Sequence, residues 1–452
     1  MFDICIGCRL CFNLCPSFPY LFKTVDEAGE QKRALAVKEE KVAEQVKRKE
    51  YLELPEGEHA VEASPEVEFR GEISDLSEAQ RRKVVDLCYQ CKLCDSNCPY
   101  TPEKEHEFQL DFPKLMTRAQ AQHTRKHGIK LNDRILSNPT LVGKMGTLTY
   151  PLSNWGNKLG IVRWLMEKFS GIASDRTLPR FYSKSFKSWF DQRTEKPVIQ
   201  SENKVVIFGT CYTNYNEPGL GKAAVEILEH NGVELVSPDQ DCCGAPHLSN
   251  SDFEGFQQKA EKTVKQFLPW VQKGYKIIVT GPPTCSLTLK QDYSYILEKK
   301  SNLAADIQTI SENCYDISEY LIYLEKQDQL RTDFKEEIGT VAYHVSCHQK
   351  AQRIGFKSRD LLQLIPNTKV KLINRCSGMD GGWGMKAENF EESMKVGERC
   401  ANDLCAVKAD SACSDCSLAS LQLTQASKES LLMTHPIIML HKAYGLDQKT
   451  SK

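Results

Sequence analysis

The sequence lacks the features that mark nucleic-acid-binding and membrane-spanning proteins. It has 59 lysines and arginines against 60 aspartates and glutamates, and its formal net charge is -1. Such a balance gives no overall attraction to nucleic acid or to an anionic bilayer. No apolar run approaches the roughly 20 residues that a membrane-spanning helix needs. We therefore expect neither a nucleic-acid partner nor a transmembrane anchor.

Motifs for nucleotide binding and hydrolytic catalysis are missing as well. The chain has no G-x-G-x-x-G after a strand and no G-x4-G-K-[ST]. It also has no serine nucleophile elbow with a histidine and an acid. This absence predicts that hydride or carbon chemistry takes place on another polypeptide.

A secretory signal is the third missing feature. Cysteines stand where the apolar stretch of a signal peptide would lie. We expect a cytoplasmic protein, with a peripheral position on the inner face of the membrane as the alternative. Because Met1 lies only four residues before Cys5, we also expect the natural N-terminus to extend further upstream.

Cysteine, in contrast, is abundant, with 19 residues in the chain. Eight of them form two runs that both read C-x2-C-x2-C-x3-C-P, the spacing that ligates cubane iron-sulfur clusters. In paired runs, three thiolates of one run and the fourth of the other surround each cluster. Neither disulfide bonds nor zinc knuckles require two cysteine runs of identical spacing, so both are poorer explanations of the pattern. The predicted ligands of two 4Fe-4S clusters are Cys5, Cys8, Cys11 and Cys98 for the first, and Cys88, Cys91, Cys94 and Cys15 for the second.

Each of the two cysteine runs is followed by a segment without predicted cysteine ligands. Between the runs lies a charged insertion, predicted to form a helical arm that breaks at Pro55 and resumes with a Ser77–Gln80 capping box. It could be a solvated arm or a partner-docking surface. The second segment, residues 126–202, predicts short helices separated by breaks.

An apolar stripe in the second segment recurs at helical spacing. Its members are Leu159, Val162, Leu165, Met166 and Phe169. Such a stripe usually packs into a core, and this is our expectation. A docking or membrane-surface helix is the alternative, because Trp155, Trp164 and Trp189 lie nearby and basic amphipathic helices with tryptophan can lie in the interface.

From Asn203 onward the chain repeats one unit. Short β-branched runs end at Cys211 and again at Cys347, and matching cysteines of the two copies are offset by 136, 134 and 131 positions. Alternating strands and helices predict two α/β lobes with parallel sheets. The cysteines would then gather at the edge where open parallel sheets place their ligand crevices.

Each lobe offers four thiols for a further iron-sulfur cluster or a tetrahedral zinc ion. The predicted ligands are Cys211, Cys242, Cys243 and Cys285 in the first lobe, and Cys347, Cys376, Cys413 and Cys416 in the second. Buried, inert cysteines are the alternative. Cys314, Cys400 and Cys405 match neither copy and are interpreted as packing residues.

The predicted fold class is therefore α+β. Residues 1–125 would form a mainly helical, ferredoxin-like di-cluster domain with a charged insertion, and residues 126–202 a helical connector. Residues 203–335 and 336–452 would form two pseudo-repeated α/β cysteine-rich lobes.

The cysteine pattern of the repeated unit resembles the cysteine-rich (CCG) domain of heterodisulfide reductase-related proteins. In that pattern a lone cysteine is followed by a Cys-Cys-Gly and later by a C-x2-C, and it is present twice. That group includes the iron-sulfur subunit of glycolate oxidase, lactate-utilisation proteins and the C subunit of anaerobic glycerol-3-phosphate dehydrogenase. The segment CSGMDGGWGMKAENFEESMKVG is especially similar to the last of these. The resemblance implies an electron-transfer subunit that takes electrons from a flavoprotein dehydrogenase and passes them to quinone or another acceptor. The dehydrogenase would oxidise glycerol 3-phosphate or a 2-hydroxy acid. A stand-alone carrier for a rubrerythrin-like or sulfur-metabolism partner and a thiol-disulfide catalyst are the alternatives.

Two positions depart from the family pattern. Pro282 stands where the first cysteine of C-x2-C is expected, and Ser377 replaces the second cysteine of Cys-Cys. Each motif is one thiolate short of a five-cysteine, non-cubane cluster, which argues against such clusters in both lobes and against heterodisulfide reduction. Near the ligands, Gly378, Gly381, Gly382 and Gly384 predict close backbone approach to a cluster, and His247, His344 and His348 predict hydrogen bonds within the protein.

Overall fold

A computed structural model describes residues 2–51, 70–194, 197–297 and 303–447. Helices occur in each of these ranges, and the described residues also form two four-stranded parallel sheets, so the predicted α+β class is confirmed. The break predicted at Pro55 lies outside the described residues. The chain divides into two compact units, 1–88 with 97–116, and 89–96 with 117–452. No helix among the described residues is both long and apolar enough to cross a bilayer.

Helices alone precede the first sheet in the described part of the chain. They are α1 (Phe2–Cys8), α2 (Ser17–Tyr51), α3 (Glu78–Asp86), α4 (Leu93–Asn97), α5 (Phe112–His127), α6 (Leu131–Leu136), α7 (Pro139–Leu148), α8 (Leu152–Gly156), α9 (Gly160–Ser170) and α10 (Phe186–Gln192), with short 3-10 turns at Ile73–Asp75 and Pro102–Lys104.

The first unit is built around one face of α2. Phe18, Leu21, Phe22 and Val25 recur at i, i+3, i+4 and i+7 and are buried. The ring of Phe18 packs on that of Phe112, with centroids 4.5 Å apart.

The predicted capping box at the start of α3 is confirmed. The Ser77 hydroxyl accepts from the Gln80 N–H, and the Gln80 side chain accepts from the Ser77 N–H at 2.9 Å. The helix that precedes Cys88 therefore has a fixed starting residue.

The first lobe holds a parallel sheet of order β2-β1-β3-β4. Its elements are β1 (Lys204–Gly209), α11 (Cys211–Tyr215), α12 (Pro218–His230), β2 (Glu234–Val236), α13 (Ala245–Ser249), α14 (Phe253–Val271), β3 (Lys276–Thr280), α15 (Pro283–Leu287), a π-helical turn (Thr288–Asp292), α16 (Tyr293–Leu297), α17 (Ala304–Glu312), β4 (Cys314–Asp316) and α18 (Ile317–Glu325).

The second lobe repeats this order as β6-β5-β7-β8, again all parallel. Its elements are β5 (Thr340–His344), α19 (Cys347–Ala351), α20 (Lys357–Leu362), β6 (Lys369–Ile373), α21 (Ala387–Ala406), β7 (Ser411–Ser414), α22 (Ser417–Ala426), β8 (Met433–Thr434) and α23 (Pro436–Ala443).

The two central strands of each sheet are buried on both faces, as runs such as Val205–Phe208 require. One face of each sheet contributes to a hydrophobic core that spans the two lobes, in which α12 packs against α23. The register places Gly209 opposite Thr280 and His344 opposite Ser414. The central strands of each lobe therefore end at the same edge, which confirms the expected pair of parallel α/β lobes.

The apolar stripe of α9 does not enter a core, so the expectation for it was wrong. None of its five members is buried, and Phe169 is 72% exposed. The most buried side chain of α9 is Arg163, whose guanidinium donates to the carbonyls of Ala173, Ser174 and Arg176. The backbone carbonyls of the loop after α9 need a hydrogen-bond donor, and Arg163 supplies it. The inner face of α9 is therefore polar, and its apolar side faces outward.

Candidate metal centres

Helix α1 and the turn after it position the first cysteine run. The helix ends at Cys8, and Arg9 adopts a left-handed backbone with φ 53°. Lys92, at the equivalent place in the second run, has φ 58°. A left-handed residue between two ligands directs successive N–H groups to one side and makes a concavity that suits an anionic cluster. The two runs thus share their spacing and the left-handed residue after the second cysteine.

The structure brings Cys98 to the first run, as the crossed ligand assignment requires. Burial is the main cause that raises the pKa of Cys5 to about 11 and that of Cys11 to about 12, and the Cys98 thiol is the next cause for both. Cys8 also interacts electrostatically with both thiols, and Cys15, which is assigned to the other cluster, interacts with Cys11. The Tyr100 N–H donates to the Cys98 sulfur at 3.4 Å. Four thiols in this setting fit a cluster, because bound iron compensates charge that burial alone disfavours.

The second predicted ligand set divides between the two units. Cys15 and Cys88 belong to the first unit, and Cys91 and Cys94 to the second, where both are buried. Their grouping around one cluster stays a prediction.

Within the second unit, the second run contacts the second lobe. The Tyr89 hydroxyl forms a 3.1 Å hydrogen bond with the Cys376 sulfur, and its ring lies 4.8 Å from that of Trp383. His348 Nε2 donates to the Gln90 carbonyl at 3.1 Å, since a carbonyl can only accept. Sequence reasoning missed Tyr89, because nothing in its local sequence signals a contact with a residue so distant in the chain.

The four predicted ligands of the first lobe lie together. Cys211 is the first residue of α11, Cys242 and Cys243 precede α13, and Cys285 lies in α15. The sulfurs of Cys243 and Cys285 are 3.2 Å apart. Hydrogen bonds from Cys211 and Cys243 hold the pKa of Cys242 well below its ordinary value, and raise those of the two donors. The donor set is four thiols at the sheet edge, three of them in buried residues, and by its chemistry it fits a tetra-thiolate centre.

The second lobe brings together three of its four predicted ligands. Burial chiefly raises the pKa of Cys347, and the neighbouring thiols of Cys376 and Cys416 raise it as well. Cys347 begins α19, and Cys416 caps α22. The Gly378 N–H donates to the Cys376 sulfur at 3.2 Å.

Cys413 lies elsewhere, contrary to the expectation that it joins this group. It is in β7, opposite Tyr343 of β5, and its fully buried side chain belongs to the hydrophobic core between the lobes. Side chains alternate across a strand, so a residue near the strand end faces either the core or the other side. The sequence spacing between Cys413 and Cys416 does not reveal on which face Cys413 lies. The structure places it on the core face.

Other residues near the ligands are held by the protein itself. His344 contacts Ser414 and the Arg375 carbonyl, and His247 contacts Asp252. Among the packing cysteines, Cys314 and Cys400 are buried as expected, whereas Cys405 is exposed. Within the described ranges, no group of three or more His, Cys, Asp or Glu side chains is arranged to hold a single metal ion.

Sequence comparison identifies the domain types. The 4Fe-4S dicluster domain matches residues 4–101, and the Cysteine-rich domain matches twice, at residues 205–290 and 341–423. The chain is therefore an iron-sulfur protein with one dicluster domain and two cysteine-rich domains.

Relatives of known name share this arrangement in part. The C subunit of anaerobic glycerol-3-phosphate dehydrogenase from Escherichia coli (strain K12) is 28% identical over 338 residues, which cover 73% of this chain and 81% of that protein. Lactate utilization protein A of Bacillus cytotoxicus is 27% identical over 197 residues, or 42% of this chain and 78% of that protein. The chain is homologous to both, which is consistent with electron transfer.

Proposed function

We propose that the chain is the electron-transfer subunit of a flavoprotein dehydrogenase that oxidises glycerol 3-phosphate or a 2-hydroxy acid, and that quinone is the acceptor. The observation that carries the proposal is the electrostatic interaction of Cys98 with Cys5 and Cys11, which is expected if these thiols and Cys8 ligate one cubane cluster. A relative named as a dehydrogenase subunit supports the choice of partner.

The chain's own residues bind and shield the proposed clusters. When bound, the clusters accept and release single electrons. Hydrogen bonds to ligand sulfurs from the Tyr100 N–H, the Gly378 N–H and the Tyr89 hydroxyl would raise the reduction potentials by stabilising negative charge. Since the Tyr89 bond connects the second run with Cys376, the lobes would extend the electron path beyond the dicluster domain.

Anaerobically purified protein is expected to contain at least about eight irons per chain, since each 4Fe-4S cluster contributes four. Mixed with a flavoprotein that oxidises glycerol 3-phosphate or lactate, the protein should show a reduced-cluster electron paramagnetic resonance (EPR) signal when that substrate is added. Dithionite reduction of the same sample is the positive control. If dithionite reduces the clusters but no such dehydrogenase does, the proposed class of partner is wrong.

We further propose that α6–α9 place the chain on an anionic bilayer, where a lipid-soluble quinone is accessible. These helices pack in sequence, α9 on α6, α6 on α7 and α7 on α8. Their exposed large apolar residues are Leu131, Ile135, Leu141, Val142, Met145, Leu148, Leu152, Trp155, Ile161, Trp164, Leu165 and Phe169.

The charges of this helical surface favour an anionic lipid. Its exposed lysines are Lys130, Lys144, Lys158 and Lys168. The acids are engaged, with Asp133 paired to Lys386 at 2.7 Å and Glu167 accepting from the Ser174 N–H at 2.6 Å. Apolar side chains interleaved with exposed lysines are typical of a helix that lies in the interface.

Replacing Leu148, Trp155 and Phe169 together with serine is expected to weaken binding to vesicles of anionic lipid by at least about tenfold, given the transfer free energy of a large apolar side chain. Vesicle co-sedimentation at low and high salt measures the loss. The matched control replaces Leu35 and Leu432, which are similarly exposed outside these helices. Equal vesicle binding by the triple variant and the wild type would contradict the bilayer as the occupant.

A further inference from the structure

The second-run loop, residues 89–96, is held by side chains from both lobes. Lys92 pairs with Asp292 of the first lobe at 2.5 Å, and Asp95 pairs with Arg353 of the second lobe at 2.9 Å. The loop and both lobes belong to the same compact unit. The conformation of this ligand-bearing loop is therefore set by groups that are far away in the chain.

Gln90 gives the second-run loop a strained residue that the first run does not have at the matching place. It has φ 54°, a left-handed value that costs energy in a residue with a side chain. The first run has Gly7 at that place, inside α1. Such strain persists only where the surroundings hold it. The Thr117 hydroxyl holds the Gln90 side chain by donating to its Oε1 at 3.2 Å.

His348 holds the backbone carbonyl of Gln90. Its Nε2 donates to that carbonyl at 3.1 Å, and its Nδ1 forms a 2.8 Å hydrogen bond with the Thr284 hydroxyl. With the ring proton on Nε2, Nδ1 accepts from this hydroxyl, so both ring nitrogens have a partner. Since only 9% of His348 is exposed, loss of either bond would leave a buried polar group unpaired.

The imidazole ring thus connects three segments that carry predicted ligands. Each of the three residues lies next to a ligand in the sequence: Gln90 precedes Cys91, Thr284 precedes Cys285, and His348 follows Cys347. One side chain therefore fixes the second-run loop against the cysteine-bearing helices α15 and α19, which also pack against each other.

The bond from His348 determines which way the next peptide group points. The peptide between Gln90 and Cys91 is trans, so its carbonyl and the Cys91 N–H point in opposite directions. Because the carbonyl is directed at His348, the Cys91 N–H faces away from the ring. An N–H group that points at a cluster stabilises the reduced, more negative state and raises the reduction potential.

We propose that His348 is a positioning residue for the second cluster. It orients the peptide between Gln90 and Cys91 so that the Cys91 N–H faces the cluster, and this raises the cluster's reduction potential. His348 does not ligate iron and acts only through the second-run loop. The inference rests on the proposed function in one respect, that the second run binds a 4Fe-4S cluster. It requires neither metal in the lobes nor a particular electron donor or acceptor.

His348→Leu, which removes both hydrogen bonds, is expected to lower the ratio of reduced to oxidised second cluster about tenfold at a fixed potential. For one electron this is a shift of the midpoint by about 59 mV to more negative potential. A redox titration of the full-length chain followed by EPR measures the shift. The second cluster is the signal that Cys88→Ala removes. The midpoint of the first cluster, the signal that Cys5→Ala removes, should not change.

Two conservative variants separate the bond to Gln90 from the bond to Thr284. A glutamine amide nitrogen extends about as far as Nε2, so His348→Gln should keep the donor to Gln90 and a midpoint near that of the wild type. An asparagine amide extends only about as far as Nδ1. His348→Asn should therefore keep the contact with Thr284 and shift the midpoint as His348→Leu does.

The matched control is His441→Leu, because His441 is as buried as His348 and pairs with Glu226 of the other lobe at 2.5 Å. It should leave both midpoints unchanged. Equal midpoints in His348→Gln and His348→Asn, or the same shift in His441→Leu, would overturn the inference and leave the proposed function intact. If His348→Leu does not fold, the glutamine and asparagine variants decide alone. Wild-type protein without the second cluster would overturn both.

Discussion

Cys98→Ala is expected to abolish the same cluster as Cys5→Ala, although Cys98 belongs to the other cysteine run. The structure places Cys98 among Cys5, Cys8 and Cys11, where its thiol raises the pKa of two of them. Each variant should lose about four of about eight dicluster irons, because one complete ligand set is broken. EPR of the reduced proteins should show one and the same missing signal.

The matched control is Cys88→Ala, which lies at the start of the second run. It should remove the other signal and keep the one that Cys5→Ala removes. Should Cys98→Ala and Cys88→Ala delete the same signal, each run would ligate its own cluster, and the crossed assignment would be wrong.

Gly281→Ala is expected to destabilise the first lobe through backbone strain and steric collision at once. Gly281 has φ 113°, and an added side-chain carbon would lie 2.3 Å from the Thr213 hydroxyl and 2.9 Å from that of Thr210. Thr210 caps α11, the helix that begins with Cys211, and Thr213 donates to the Thr280 carbonyl. Strain and overpacking together should lower the free energy of unfolding by about 3–5 kcal/mol, with loss of metal from the first lobe.

Gly274→Ala separates strain from collision. Gly274 has φ 89°, yet an added carbon there would meet no atom within 4 Å. This variant should lose only about 1–2 kcal/mol, the cost of a strained backbone alone. Urea unfolding midpoints and metal analysis measure both variants. Equal losses of stability in the two would show that the threonine cap does not position Cys211.

The features that follow from local spacing could be predicted from the sequence. The paired cysteine runs, the Ser77 capping box and the duplicated strand-helix order each depend on residues close together in the chain. Parallel strands that end in cysteine must present those cysteines at one edge, whatever the details of packing. The four-cysteine group of the first lobe follows from this rule.

The features that depend on which side of an element faces the core could not be predicted. Cys413 lies three residues before Cys416, and a shift of one residue in the register of β7 would reverse the face on which it lies. The α9 stripe has the spacing of a core helix, but the carbonyls that Arg163 binds turn it outward.

The hydrogen bond between Tyr89 and Cys376 has a consequence for the energetics of successive electrons. Tyr89 stands between Cys88 and Cys91 in the sequence, and its hydroxyl is 3.1 Å from the Cys376 sulfur. Negative charge added at Cys376 strengthens this bond and polarises the turn that bears Cys91. For the proposed centres, the first electron would therefore change the work of adding the second, so that the two apparent reduction potentials would belong to the coupled pair and not to either centre alone.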